Sequence, residues 1–492
     1  MMDSDININK SIIKQMFCAD KNLDFKIRDF KVEFKNQTSD AFLVFFDGMT
    51  NQSFLNRDIM RALLSCKAFE VTDASKKDIV FEQIITVAPL SINESYDTVG
   101  EMVSFGECAI FVDGCACCFM ADVKGWETRS VQPPTQEVSL AGPQESFTES
   151  IMTNLALVRK ILKNPKLIAK KIAVGNTNKI PCAVMYIDGI ANDGILNEVM
   201  RRLSGIDTEY IFSSSDVEML IEDETFLPLP GMLKTERPDR VASMLADGKI
   251  AVIVQGSPFV LIVPTTTLDL IEATEDNYVR VSEANLMRAV RLFGMSISIL
   301  LPGLFVAVML YHQEIFPTDL LVSISASRES LPFSLIVELI LMEIAFELIK
   351  EASVRVPSPI GSTLGIIGGL ILGQSAVEAG IVSPLLIIIV SIGGIGAFST
   401  PTIPLSRSLS VLKFIYIFAA YMFGVLGLTA AVLISLSILA SAKTFGVPFL
   451  TERDGSESIF VKPIWKKEKR PQSIKPKDLF KQPRISRKWK ER

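Results

Sequence analysis

Three long stretches almost without charge restrict what this chain can fold into. Residues 292–310 carry no charged side chain, residues 356–406 carry one, Glu378, and residues 414–442 carry none. The first of these, wound as an α-helix, reaches about 28 Å, roughly one hydrocarbon thickness. At that depth the backbone has no water to bond to, so such segments must be helices that satisfy themselves. Residues 1–290 hold no comparable run and mix 29 basic with 41 acidic residues, as a soluble protein does. The solvent changes partway along the chain. That points to a receptor, channel or transporter component rather than a soluble enzyme.

The charge is as uneven as the hydropathy. Residues 291–450 hold 7 basic against 8 acidic residues, and residues 451–492 hold 14 against 6. A basic tail behind a membrane segment fits positive-inside topology and anionic lipid headgroups better than nucleic acid. The first 17 residues are polar and lack the apolar core of a signal peptide, so the soluble part is expected on the cytosolic side. All seven cysteines, an odd number, lie in that part and read as thiols of a reducing compartment. Cys115, Cys117 and Cys118 fit a hairpin strand better than a metal cluster. His312 is the one histidine in the chain, which removes Ser–His, Cys–His and His-ligated metal chemistry from residues 1–290. No Walker-type phosphate loop is present either. No catalytic residue, cofactor or metal is expected.

The soluble part reads as two tandem, internally duplicated α/β domains. Residues 41–64, AFLVFFDGMTNQSFLNRDIMRALL, align with residues 183–203, AVMYIDGIANDGILNEVMRRL, through Asp47-Gly48 and Asp188-Gly189 at an offset of 141. Residues 106–114, GECAIFVDG, match residues 248–256, GKIAVIVQG, at an offset of 142. Two matches at nearly one offset mark a repeat. Each unit is expected to run as a buried strand ending at Asp-Gly, a helix, then a hairpin. The hairpin turns at Asp113-Gly114 in the first unit and through Gln255 to Pro258 in the second. Asp47 and Asp188 read as turn caps, with ligand or metal binding as the alternative. The linker, residues 129–142, ends at a helix start where Ser146 and Glu149 form a capping-box pattern. Phe147, Ile151, Met152, Leu155, Val158 and Leu162 then trace one apolar stripe. The expected boundaries are 1–130 and 144–285 for the two domains, with 131–143 as linker. An α-helical polytopic membrane domain follows over 286–450, then a basic, unstructured tail over 451–492.

Carboxylates stand out in the membrane part. Residues 331–349 are apolar yet carry Glu338, Glu343 and Glu347, and a charge at the bilayer centre costs about 2.5–3.5 kcal/mol on insertion scales. At helical spacing Glu343, Glu347 and Glu351 share a face and Glu338 lies off it. A carboxylate-lined cation path fits this pattern, and so does an amphipathic helix on the membrane or against a partner. Pro357-Ser358-Pro359 blocks a helix entering from the N-terminal side, and Gly361, Gly365, Gly369 and Gly373 follow one turn apart. Glycine costs a helix about 1 kcal/mol at each position, so the stripe serves close helix packing or a narrow pore wall between copies. Gln374 and Glu378 are the nearest polar groups, and Glu378 is the first candidate for an ion-facing residue. Arg407 and Lys413 read as a cytosolic loop. Residues 414–442 are long for one span and short for two. With 331–349 lying on the membrane, four spans result and both termini stay inside.

These stretches resemble a known family. ESFTESIMTNLALVRKILKNPKL (145–167), VMYIDGIAN (184–192), KTERPDRVASMLADGKIAVIVQGSPFVLIVP (234–264) and LYHQEIFPTDLLVSISASRESLPFSLIVELILMEIAFELIKEASVRVPSPIG (310–361) look like the A subunit of bacterial spore germinant receptors, the GerA type. GGLILGQSAVEAGIVSP (368–384) continues the match. The resemblance covers about residues 40 to 450. Residues 1–40 lie outside it, and after FGVPFL (445–450) the chain runs TERDGSESIF where the family pattern is apolar and Pro-rich. It implies a role in germination within the spore inner membrane, beside a transporter-like B subunit that senses the nutrient and a lipoprotein C subunit. It further implies a homo-oligomeric ring of A subunits, a pentamer, that opens to monovalent cations. The pore lining would fall on the stretch from PSPIG to GQSAVEAG, with Ile366, Ile367 and Leu370 as a hydrophobic constriction. The N-terminal domains and the tail would lie on the cytosolic (core) side. The partners are then other receptor subunits and membrane lipids, with no nucleic acid. A non-conducting scaffold that relays the sensor's state is the alternative. A secondary transporter would show inverted repeats among its spans, whereas the duplication here lies in the soluble part.

Overall fold

The computed structural model describes residues 2–67, 69–71, 76–87, 89–125, 133–134, 137, 139, 141–223, 229–329, 331–355 and 373–450. Gly361, Gly365 and Gly369, the expected constriction of Ile366, Ile367 and Leu370, and the basic tail lie outside the described residues.

Among the described residues the soluble part builds two five-stranded antiparallel sheets. The first unit runs α1 (Ile6–Met16), β1 (Phe25–Glu33), β2 (Thr38–Phe46), β3 (Leu90–Asn93), α2 (Tyr96–Ser104), β4 (Cys108–Val112) and β5 (Cys118–Ala121), with a helical stretch over residues 52–64. The second runs α3 (Ile151–Ile161), β6 (Leu167–Val174), β7 (Ile180–Ile187), α4 (Asp193–Ser204), α5 (Ser214–Ile221), β8 (Leu233–Thr235), α6 (Pro238–Ala246), β9 (Ile250–Val254) and β10 (Val260–Val263). The strand orders are β1-β2-β4-β5-β3 and β6-β7-β9-β10-β8, the same path taken twice. Each sheet separates two cores. Leu43 and Ile110 face Leu55, Ile59 and Leu63, while Phe42, Val44 and Phe46 face Ile13, Val99 and Val103. Burial on both faces explains why the central strands are continuously apolar rather than alternating.

The Asp-Gly turns hold glycine where only glycine sits without strain: φ is +85° at Gly48, +76° at Gly189 and +82° at Gly114. Asp47 accepts a hydrogen bond from the Gln52 side-chain amide at 2.8 Å. The backbone capping expected of Asp47 and Asp188 is done instead by Asn51, which accepts from the Ser53 and Phe54 N–H, and by Asn192, which accepts from the Gly194 and Ile195 N–H. The cap of α3 differs from the sequence expectation. Ser150, not Ser146, accepts from the Thr153 N–H, because Phe147 still lies outside the helix and donates its N–H to the Glu236 carbonyl. The two units are joined by Arg159 of α3. Its guanidinium bonds both oxygens of Asp24 at 2.6 and 2.7 Å, the Leu167 carbonyl at 2.9 Å and Asn22 at 3.0 Å. It also lies 4.0 Å over the Phe46 ring.

The helical module comprises α7 (Val281–Tyr311), α8 (Thr318–Arg328), α9 (Leu335–Arg355), α10 (Pro384–Phe398) and α11 (Ile403–Ser441). By length and composition α7 and α11 are apolar enough to cross a membrane. α11 is not straight. Gly424 has φ 61° and ψ −144°, and a Cβ on Gly427 would lie 2.1 Å from the Ala419 carbonyl oxygen. Eight residues along a straight helix are about 12 Å apart, so α11 folds back on itself as a hairpin. The Tyr311 hydroxyl ties the turn by donating to the Tyr421 carbonyl at 2.8 Å. This accounts for a run too long for one span. Arg407 and Lys413 accordingly lie in the first arm of α11, not in a loop. α9 is likewise not set apart: Leu335, Leu339 and Met342 enter a core shared with Val306, Ile324, Leu386 and Ile417. α7 and α10 touch through glycine, since a Cβ on Gly396 would lie 2.3 Å from the Gly294 carbonyl.

Candidate functional site

The acidic stripe of α9 meets a basic stripe on α11. Glu343 and Glu347 stand one turn apart on α9, and Ser410 and Lys413 stand one turn apart on α11, so the two faces can interlock over two turns. The Lys413 ammonium donates to Glu343 at 2.5 Å and to Glu347 at 3.2 Å. Ser410 donates to Glu347 at 2.8 Å and accepts from Lys350 at 3.1 Å. Glu343 and Lys413 are 2% and 3% exposed, which leaves neither charge to water. Lys413 sits ten residues into α11 and eleven before Gly424, about 15 Å from either end of its arm. A charge buried among apolar side chains needs a partner, and each finds one here. Beside the cluster opens a cavity of about 260 Å³ lined by Glu347, Lys350, Glu351, Thr402, Ser406 and Arg407.

The other candidates sit elsewhere. Glu338 is fully buried, bonded by Arg328 at 3.2 Å and by the Ser383 N–H at 3.3 Å, where it fastens the start of α10. Residues 373–378 are helical, with Gln374 and Glu378 exposed and the Gln374 amide donating to Glu378 at 2.9 Å. Gly373 is buried, and a Cβ there would meet Ile387 of α10 at 3.5 Å. The structure therefore brings Glu343 and Glu347 together and keeps Glu338 and the Gln374–Glu378 pair apart from them. Reading the sequence missed Lys413 and Lys350 as partners. The signal was present, since Arg407, Ser410 and Lys413 repeat every three residues before an uncharged run. In the soluble part Asp47 lines a second cavity of about 260 Å³ with Gly48, Gln52, Ser150, Thr153 and Lys160.

A sequence model of the Bacillus/Clostridium GerA spore germination protein matches residues 11–473, reaching beyond the motif-bearing stretch at both ends. Spore germination protein KA of Bacillus subtilis (strain 168) is 36% identical over 465 residues, 93% of this chain and 85% of that one. Spore germination protein A1 of the same organism is 39% identical over 375 residues, covering 75% and 78% of the two chains. Spore germination protein GerLA of Bacillus cereus is 33% identical over 444 residues, covering 89% of each. Among solved structures, the N-terminal domain of the A subunit of the Bacillus megaterium spore germinant receptor GerK3 is 29% identical. It covers 54% of this chain and 96% of that one, with a TM-score of 0.39.

Proposed function

The chain belongs to the Bacillus/Clostridium GerA spore germination protein family, and from this we propose that it is the A subunit of a nutrient receptor passing monovalent cations across the spore inner membrane. The observation that carries the reading is the family match across nearly the whole chain, joined to a helical module in which α7 and α11 are long and apolar enough to span. Copies of the chain assemble as a ring, a pentamer, with a transporter-like B subunit and a lipoprotein C subunit. The two sheet domains, an internal duplication, and the basic tail face the core side.

In this reading Glu343 and Glu347 are not the ion path. Lys413 and Lys350 together balance them, and the cluster holds α9 against the first arm of α11. The path runs between copies along Gly361, Gly365 and Gly369, while Gly373, buried against Ile387 of α10, serves close packing. Glu378 and Gln374 face it, exposed on the single chain as such a role requires. Ile366, Ile367 and Leu370 close the path by dewetting, and the sensing partner opens it by biasing the ring toward an open state. Purified receptor with subunit counting and single-channel recording tests this directly. Replacing Ile366, Ile367 or Leu370 by Ser should give cation leak without nutrient. Normal gating in all three variants, or changes confined to assembly, would favour a non-conducting relay instead.

A further inference from the structure

One segment of the second sheet domain receives both ends of the helical module. Residues 265–276 connect β10 to α7. At the C-terminal end of this segment, Asp276 accepts from Arg288 at 2.8 Å and from Arg291 at 3.2 Å. Glu272 accepts from Arg288 at 2.7 Å, and the Ile271 carbonyl accepts from Arg291 at 2.9 Å. These bonds fix the first turns of α7. The other end of the segment meets the chain as it returns from α11, about 180 residues later in sequence. There the Thr444 hydroxyl donates to the Thr265 carbonyl at 3.1 Å, and the Thr267 N–H donates to the Phe449 carbonyl at 3.0 Å.

The returning chain is built into the domain rather than laid on it. Lys443–Thr444 pairs with Val447–Pro448 as a small ladder, which turns Phe445 into one core of the sheet and Phe449 into the other. Both rings are fully buried. Phe445 packs with Ile195, Val199 and Val217 under the Arg202 guanidinium, 4.3 Å from its ring, and its N–H donates to Asp223 at 2.5 Å. The segment is anchored from below as well: Lys249 pairs with Asp269, and Arg240 donates to the Asp269 and Glu272 carbonyls at 2.9 Å each.

We propose that residues 265–276 are the transmission element of this chain, with Phe445 and Phe449 as positioning residues that keep the end of α11 docked throughout gating. The proposal rests on the receptor reading above. A domain joined only through α7 could turn while α11 stayed behind. Docked at both points, domain 2 moves α7 and α11 together. Undocking would expose two aromatic rings to water and strip partners from Asp223 and Thr265, which disfavours a latch that opens and closes at each event.

The test uses full-length chains in spores. Phe445→Ala and Phe449→Ala should lower the maximal germination rate about tenfold or more at unchanged membrane abundance. The half-saturating nutrient concentration should stay the same, because sensing resides elsewhere, and Phe445→Leu should restore most of the rate. In reconstituted receptor, a Thr265→Cys/Thr444→Cys pair should still gate cations after oxidation. A normal maximal rate in Phe445→Ala, or gating lost on oxidation and regained on reduction, overturns the proposal. The oxidised pair decides the matter even where the alanine variants fail to accumulate. Failure of the receptor reading shows differently: deleting the chain would leave nutrient germination intact. Hydrogen exchange of the Phe445 and Phe449 amides in purified protein would still report whether the segment is docked.

Discussion

Arg159 and Lys413 are both buried cations held by carboxylates, one between the sheet domains and one among the helices. Arg159 makes four hydrogen bonds and stacks on Phe46, so its planar fork is used along two edges and one face. Lys413 offers a compact ammonium to two carboxylates, with Lys350 offsetting the excess negative charge and Ser410 donating a further hydrogen bond to Glu347. The solvent explains the contrast. Beside water, burying a charge is costly unless every donor finds a partner, and the guanidinium geometry suits that demand. In the membrane placement proposed above, the unfolded reference of the apolar helices is itself dry, so a pair gains less by forming and a flexible stem suffices.

Removing each cation tests that account. Arg159→Ala leaves Asp24 buried without its partner and should cost about 3–5 kcal/mol, seen as early separation of the sheet domains in chemical denaturation. Lys413→Met removes the same charge from the helices and should cost only about 1–2 kcal/mol, with Glu343→Gln in the same chain recovering part of it. Equal losses in the two variants would show that the solvent does not set the difference. Between these two effects lies Gly424→Ala. A φ of 61° with ψ −144° is nearly closed to any side chain, and a Cβ would also meet the Tyr311 ring at 3.0 Å. The cost should be about 1–3 kcal/mol, read as loss of the α11 hairpin by cross-linking between its arms.

The same two regions differ in how legible they were. In the soluble half the buried strands, the Asp-Gly turns and the helix stripe could be read because each is local: a turn needs its glycine, and a strand between two cores needs a run of apolar residues. Ser150 took the cap from Ser146 because a tertiary bond, Phe147 to Glu236, delays the helix by one turn. In the helical half the hairpin at Gly424 was hidden. A turn there carries no polar marker, and a single glycine in an apolar run looks like any other. The repeat of Arg407, Ser410 and Lys413 marks a polar face, but its partners lie 66 and 70 residues earlier at Glu347 and Glu343, so nothing local names them. FGVPFL was hidden for the same reason, its sockets being in α4, α5 and the segment after β10.

The smallest effect isolates the soluble side by pH. Glu222 ends α5, half-buried, and burial together with Glu218 and Asp223 pushes its carboxyl from the ordinary 4.5 up to about 7. Asp223 is held by Arg202 and Glu218 lies near Lys234, so the surroundings are not wholly acidic. A folded-state value above the unfolded one means the folded chain binds the proton more tightly. That contribution to stability is complete below about pH 4.5 and is lost as pH rises through about 7. The melting temperature of purified full-length chain should therefore decline slightly between pH 5 and pH 8, and Glu222→Gln should flatten the slope. Because Asp223 carries the Phe445 N–H, the slope should steepen in Phe445→Ala if docking and protonation are coupled. An unchanged slope in Glu222→Gln would assign the titration to another group and leave domain 2 stabilised independently of its acidic edge.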